Sequence, residues 1–137
     1  MEFRTISEVI YFENVSASYL FNLYTDATLH TEVTGAPVNI SNKLGDAFSA
    51  YSGFCIGENL DIIKDKLIIQ TWRTSDWPIG TDDSIVIIRL VPEQNNCHLY
   101  LTHENIPEHL AEGLRAGWHQ FYWDKWKAKI LQLSNQH

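Results

Sequence analysis

The stretch IPEHLAEGLRAGWHQFYWDKWKAKILQL, residues 106–133, decides how the rest of the chain must be arranged. After its opening proline it holds no turn signal, and Pro107 suits a first helical turn, where a missing N–H costs nothing. Glu108 and Glu112 favour the positive end of a helix; Lys125, Lys127 and Lys129 gather at the other end as a solvated face. Leu114, Trp118, Phe121, Tyr122, Trp126, Ile130 and Leu133 recur at spacings of three and four, which predicts one buried stripe. About 26 residues make a rod of roughly 40 Å, enough to cross a sheet. Gly113 and Gly117 each weaken the helix by roughly 1 kcal/mol relative to alanine, and are read as points of close strand approach. Trp123 falls opposite the centre of the stripe and is expected to be partly exposed. A helix this aromatic needs a broad apolar surface beneath it.

The upstream residues offer one. Residues 3–12 are β-branched and aromatic, as in a first strand. Asn14 or Ser16 then caps a short helix, SASYLFNLYT, with Tyr19, Leu20, Leu23 and Tyr24 on its apolar side. Asp26 caps a second short helix, to about Glu32, and Gly35-Ala36-Pro37 stops it. Strand signals follow at 38–40, 46–51, 54–63, 66–73, 84–91 and 97–103, with turn residues between them. The loop 75–83 is longer and holds Trp77-Pro78 and Gly80. This order predicts an α+β fold: a curved antiparallel meander of about six or seven strands gripping a long C-terminal helix, with two short helices after the first strand. A cavity between helix and sheet is the natural place for a ligand.

The 137 residues are read as a single domain, 1–137, long enough to bury roughly two-thirds of the unfolded surface. Five Trp, six Tyr and six Phe mark a core built on bulky rings. A net charge of −7 argues against a nucleic-acid surface, which wants clustered Lys and Arg. The first residues lack the cationic lead and apolar run of a signal peptide, and no stretch is long and apolar enough for a membrane span. Cys55 and Cys97 lie in strand-like runs with two other strands between them, and so roughly 14 Å from each other, which fits free thiols and a cytoplasmic location.

Candidate chemistry is sparse. His98, His103, His109 and His119 lie near Glu104 and Glu108, but no HExxH or CxxC pattern appears and parity places His98 and His103 on opposite sheet faces. No metal site or cofactor is expected. His103 shares a face with Leu99 and Leu101, as a core or cavity histidine with a satisfied hydrogen bond. His103, Tyr122 and Arg73 are the polar groups placed near the helix, without the ordered constellations that catalysis needs, so no catalytic residue is assigned. Phe48, Trp72, Leu101, His103, Trp118, Phe121 and Tyr122 are the candidate cavity lining; for Trp72 and Trp118 core packing is the competing role. Trp77 and Ile79, in the long loop, are the candidate partner contact; for Trp77, lying flat on a neighbouring apolar stem is the competing role.

Several local motifs resemble one family. They are Gly53-Phe54-Cys55-Ile56-Gly57-Glu58; Trp72-Arg73 followed by Trp77-Pro78-Ile79-Gly80; and Asn105-Ile106-Pro107 with Arg115, Gly117-Trp118 and Phe121-Tyr122. Together, over about residues 10–130, they resemble the C-terminal domain of the activators of the heat shock protein 90 ATPase, within the START-like superfamily. The resemblance implies a helix-grip fold and a non-enzymatic binding module, a co-chaperone homologue with heat shock protein 90 as its partner. The alternative is a carrier or sensor of a small hydrophobic ligand, with the cyclase or hydratase activity of some superfamily members a minor possibility. Eukaryotic activators carry a separate N-terminal domain that supplies the main chaperone contact, and nothing in these residues matches it. A lone domain is therefore expected to be a monomer or weak dimer that binds the chaperone weakly.

Overall fold

A computed structural model describes residues 2–135. Its elements are β1 (Phe3–Phe12), α1 (Ala17–Thr25), α2 (Ala27–Thr34), β2 (Val38–Asn39), β3 (Ala47–Ala50), β4 (Cys55–Ile63), β5 (Leu67–Thr74), β6 (Ser84–Glu93), β7 (Asn96–Pro107), α3 (Glu108–Trp118), a π-helical turn (His119–Trp123) and α4 (Asp124–Ser134). Local chemistry sets the boundaries. Ser16, rather than Asn14, caps α1 by accepting from the Tyr19 N–H at 3.0 Å, and Asp26 caps α2 by accepting from Leu29 N–H at 3.0 Å. Gly35 ends α2 in the left-handed region, at φ 78°.

The sheet is antiparallel throughout, in the order β1-β7-β6-β5-β4-β3-β2. It is the expected meander: β2 to β7 run consecutively, and β1 returns beside β7. The α1–α2 pair carries the chain from one edge of the sheet to the other. Alternation puts Ile6, Ile10 and Phe12 of β1, Leu99 and Leu101 of β7, Val86 and Ile88 of β6, and Ile68 and Trp72 of β5 on the inner face, all buried. α3, the π turn and α4 form one long helix lying against that face, so the fold is the helix-grip arrangement that the element order implied.

Three expectations for this helix need correction. Pro107 is not in its first turn: β7 continues through Pro107, which pairs with Phe3, because residues beyond His103 still find partners on both sides. The stripe is also not a plain 3.6-residue repeat. The π turn inserts one extra residue, so Trp123 comes round to the side that Trp118 faces one turn earlier. Their rings stack with centroids 5.4 Å apart and planes 8° apart. Trp123 is therefore fully buried, and Phe121, expected in the stripe, is 41% exposed. Lastly, no strand approaches the helix glycines: a Cβ on Gly113 would meet nothing within 4 Å, and one on Gly117 only the Phe121 ring, at 3.7 Å. The close approach is at Gly57, where a Cβ would fall 1.9 Å from the Thr71 carbonyl oxygen.

Polar contacts pin the middle of the helix to β1 and to the end of α2. Glu8 on β1 accepts from Arg115 at 2.9 Å and contacts His119 Nε2 at 2.5 Å. Lys125 is not simply solvated, since its Nζ donates to the Thr34 carbonyl at the end of α2, at 2.7 Å.

Trp118→Ala is expected to cost about 3–5 kcal/mol in denaturant unfolding, as for other large-to-small core changes. The two kinds of glycine should separate cleanly in the same assay. Gly57→Ala should destabilise severely, through backbone overlap, while Gly113→Ala should stabilise by about 0.5–1 kcal/mol through helix propensity. A neutral Gly57→Ala would contradict the β4–β5 packing.

Candidate functional site

Between α3 and the adjoining ends of β4 and β5 lies a cavity of about 390 Å³. The sheet side supplies Tyr51, Phe54, Cys55, Trp72, Thr74 and Asp76; the helix side supplies His109, Leu110, Gly113, Leu114, Gly117, Trp118, Phe121 and Tyr122. The space has a plain local cause. Gly113 and Gly117 are one turn apart on the side of α3 that faces the sheet, and neither fills the gap beneath it. The mouth is apolar too, with Phe54 and Phe121 both partly in solvent.

Of the residues expected to line the cavity, Trp72, Trp118, Phe121 and Tyr122 do so. Trp72 and Trp118 are at once buried core and cavity wall, their rings 5.9 Å apart. Phe48, Leu101 and His103 do not line it; they are buried behind the wall, because residues sharing the inner face still lie at different depths along the strands. Arg73 is not near the helix either, since it points outward and donates to Asp83 at 2.8 Å and to the Thr81 carbonyl at 3.1 Å. Trp77 is only 5% exposed, against the expectation of a surface contact. Its loop folds back so that the indole packs against Trp72, centroids 6.3 Å apart, and donates to the Asp82 carbonyl at 3.2 Å. Ile79, at the tip of the same loop, is fully exposed, at 104%.

Tyr51, Phe54 and Cys55 were missed as site residues. The Ser52-Gly53 turn signal was visible, but nothing local says that its flanking rings face a helix some sixty residues away.

Two buried histidines have their tautomers set by their partners. Ser84 Oγ donates to the Trp72 carbonyl at 2.5 Å, so His103 Nε2–H donates to Ser84 Oγ at 2.8 Å and His103 Nδ1 accepts from Trp118 Nε1–H at 3.1 Å. His30 Nδ1–H donates to the Tyr24 carbonyl at 2.7 Å, leaving Nε2 to accept from the Tyr122 hydroxyl at 3.2 Å. Burial lowers the His103 pKa to about 3 and lowers that of His30 as well, so both rings stay neutral. The same cause keeps the buried acids of the cavity wall neutral, with shifts in the opposite direction. Burial pushes the Tyr51 hydroxyl and the Cys55 thiol up to about 12, and the Tyr122 hydroxyl well above its usual value. Cys55 and Cys97 are both free and buried. Chemically, the arrangement can enclose an apolar molecule.

Comparison with known proteins agrees with this architecture. Residues 14–129 match the family model described as Activator of Hsp90 ATPase homolog 1-like protein. The Homo sapiens activator of 90 kDa heat shock protein ATPase homolog 1 is 27% identical over 109 residues, covering 80% of this chain but 32% of that protein. The chain thus spans about a third of the length of the curated relatives it matches. Among solved structures, an HSP90 activator from Plasmodium falciparum is 29% identical, with a TM-score of 0.79 over 86% of this chain and 89% of that one. A Mesorhizobium loti protein, 22% identical, has the same fold, with a TM-score of 0.78 over 94% of this chain and 97% of that one.

The neutral histidines make stability depend on pH. Unfolded, each titrates near 6.5; folded, the values lie lower. Both contributions are complete above about pH 6.5 and are lost as pH falls below it, that of His103 down to about pH 3, at up to about 1.4 kcal/mol per pH unit. Denaturant unfolding of wild type and His103→Gln should show the variant less stable at pH 7 but with a shallower loss between pH 6 and 4. Parallel curves would rule out His103 as a source of the acid sensitivity.

Proposed function

The chain belongs to the Activator of Hsp90 ATPase homolog 1-like family, and from that premise we propose a non-catalytic, cytoplasmic binding domain that holds a small apolar ligand between sheet and helix. The cavity carries this reading. A family fold whose helix only covered the sheet would close over the inner face, whereas here two glycines on α3 leave about 390 Å³ walled by aromatic rings. That is within the size range of small-molecule sites.

The experiment compares wild type with Gly113→Leu, a side chain for which there is room on the helix and which would occupy the cavity. N-phenylnaphthylamine, an uncharged fluorescent probe, should bind wild type one to one, and the variant at least about tenfold more weakly, for loss of a buried ring. Native mass spectrometry of freshly purified wild type should show a co-purified small molecule that Gly113→Leu lacks. Absence of both probe binding and adduct in wild type would defeat the ligand role.

A second function, contact with an Hsp90-type chaperone, is favoured by the likeness to the Plasmodium falciparum HSP90 activator. Its best surface is the tip of the β5–β6 loop, where Ile79 is exposed and Trp77 serves as the buried anchor that holds the loop. One small patch gives micromolar affinity or weaker. Titrating the chaperone's ATPase with the domain should give modest stimulation, reduced by Ile79→Asp. No effect at several hundred micromolar would remove the co-chaperone role, and an effect untouched by Ile79→Asp would move the contact elsewhere.

A further inference from the structure

The cavity has a neutral interior and a negatively charged rim. Asp76 is the one carboxylate among the described residues that line it, and no lysine or arginine is among them. Asp76 belongs to the exposed loop between β5 and β6, yet its side chain is tied to the cavity wall. The hydroxyl of Thr74, itself buried and part of that wall, donates to Asp76 Oδ1. Among the described residues Asp76 makes no ion pair. The nearest cation in sequence, Arg73, is spent on Asp83. Cys55 shows independently that the charge reaches inward. Burial is the larger cause of its raised thiol pKa, and the Asp76 carboxylate adds to it.

The rings are graded along the same axis. Trp72, Trp118 and Tyr122 form a buried inner wall, while Phe54 and Phe121 stand partly in solvent at the mouth. An aromatic face is negative, and attracts a cation that comes within about 6 Å of its centre. A cation at the mouth thus meets two exposed rings and an unpaired carboxylate. It also keeps part of its water there, so it escapes the full desolvation cost of a buried ion. Further in, the wall offers rings and no charge, which suits a flat apolar body.

An anion fares worst, because it would meet Asp76 and find no counter-charge. The other titratable group on the rim is His109, which is exposed and repels a cation only when protonated. The chain's net charge of −7 adds a long-range field that also favours cations.

Building on the ligand-site role proposed above, we infer that the ligand is an amphiphilic amine, its aromatic body seated among Trp72, Trp118 and Tyr122 and its ammonium at the mouth, beside Phe54 and Phe121, with Asp76 as counter-ion.

Displacement of N-phenylnaphthylamine from the full chain by three competitors with one shared body tests this. They are biphenyl-4-ylmethylamine, biphenyl-4-ylmethanol and biphenyl-4-carboxylate, compared at about pH 7.5, where an imidazole is mostly neutral. The amine should compete about fivefold to tenfold better than the alcohol, and at least about tenfold better than the carboxylate. Asp76→Asn removes the charge but keeps an oxygen for the Thr74 hydroxyl, and thermal unfolding checks that the variant is folded. In it the amine should fall to the level of the alcohol. A second measurement needs no variant: in wild type, added sodium chloride should erode the advantage of the amine over the alcohol, by screening. Equal competition by amine and alcohol in wild type, or better competition by the carboxylate, would overturn the amine assignment while the ligand role stands. An amine preference that survives Asp76→Asn, or that salt does not weaken, would overturn the role of Asp76 as counter-ion. Failure of the fluorescent probe itself to bind would remove the ligand role, and this inference with it.

Discussion

Stacking of Trp118 on Trp123 is the contact on which the rest of this molecule depends. Two aromatic residues five apart cannot share a face of a regular α-helix, so the helix widens to a π turn between them. The widening brings Trp118, Tyr122, Trp123 and Trp126 into one seam against Phe12 and Tyr24. Its cost is visible in the indole N–H groups of Trp123 and Trp126, which are buried without partners. Dense ring contact offsets that, since each ring removes a large apolar area from water.

Fixing the helix by this seam also fixes where it cannot touch the sheet. Downstream of the π turn the helix is packed. Upstream, along α3, the side facing the sheet carries Gly113 and Gly117, and the gap remains as the cavity. The polar groups nearby are arranged to stay uncharged. His103 links the strands to Trp118, and a chain of hydrogen bonds runs from Tyr24 through Gln70 and Asn59 to the carbonyls of Ser41 and Lys43. Each such group is satisfied by another neutral group, which avoids the large desolvation penalty of a buried ion. An interior built this way suits an uncharged ligand body and offers little to acid–base chemistry near neutral pH.

Family membership and site geometry bear on different surfaces of the domain. The contact proposed for a protein partner lies outward, on the loop whose tip is the exposed Ile79. The proposed ligand site lies inward, in the cavity. The two are physically linked, because Trp72 walls the cavity and also packs on Trp77, which anchors the Ile79 loop. A ligand that shifts the Trp72 ring would therefore be felt at the loop.

Features that depend on near neighbours were legible in the amino-acid order alone. Alternating β-branched residues set the strands, Asp26 set one helix start and narrowed the other to Asn14 or Ser16, Gly35 set a helix end, and the spacing of Trp118, Tyr122, Trp126 and Ile130 identified the helix that the sheet would grip. The buried role and hydrogen bonding of His103 were legible for the same reason, since parity along a strand is local. Tertiary structure decided the rest. Whether Trp123 or Phe121 joined the seam depended on one extra residue in a turn, which stacking across the seam selects and no local propensity encodes. Trp77 was buried because its loop met Trp72, and Tyr51 became part of the cavity wall because the chain brought its turn beneath α3. These outcomes rest on contacts between residues far apart in the chain, where a side chain's partner is set by the packing of the whole rather than by its neighbours in sequence.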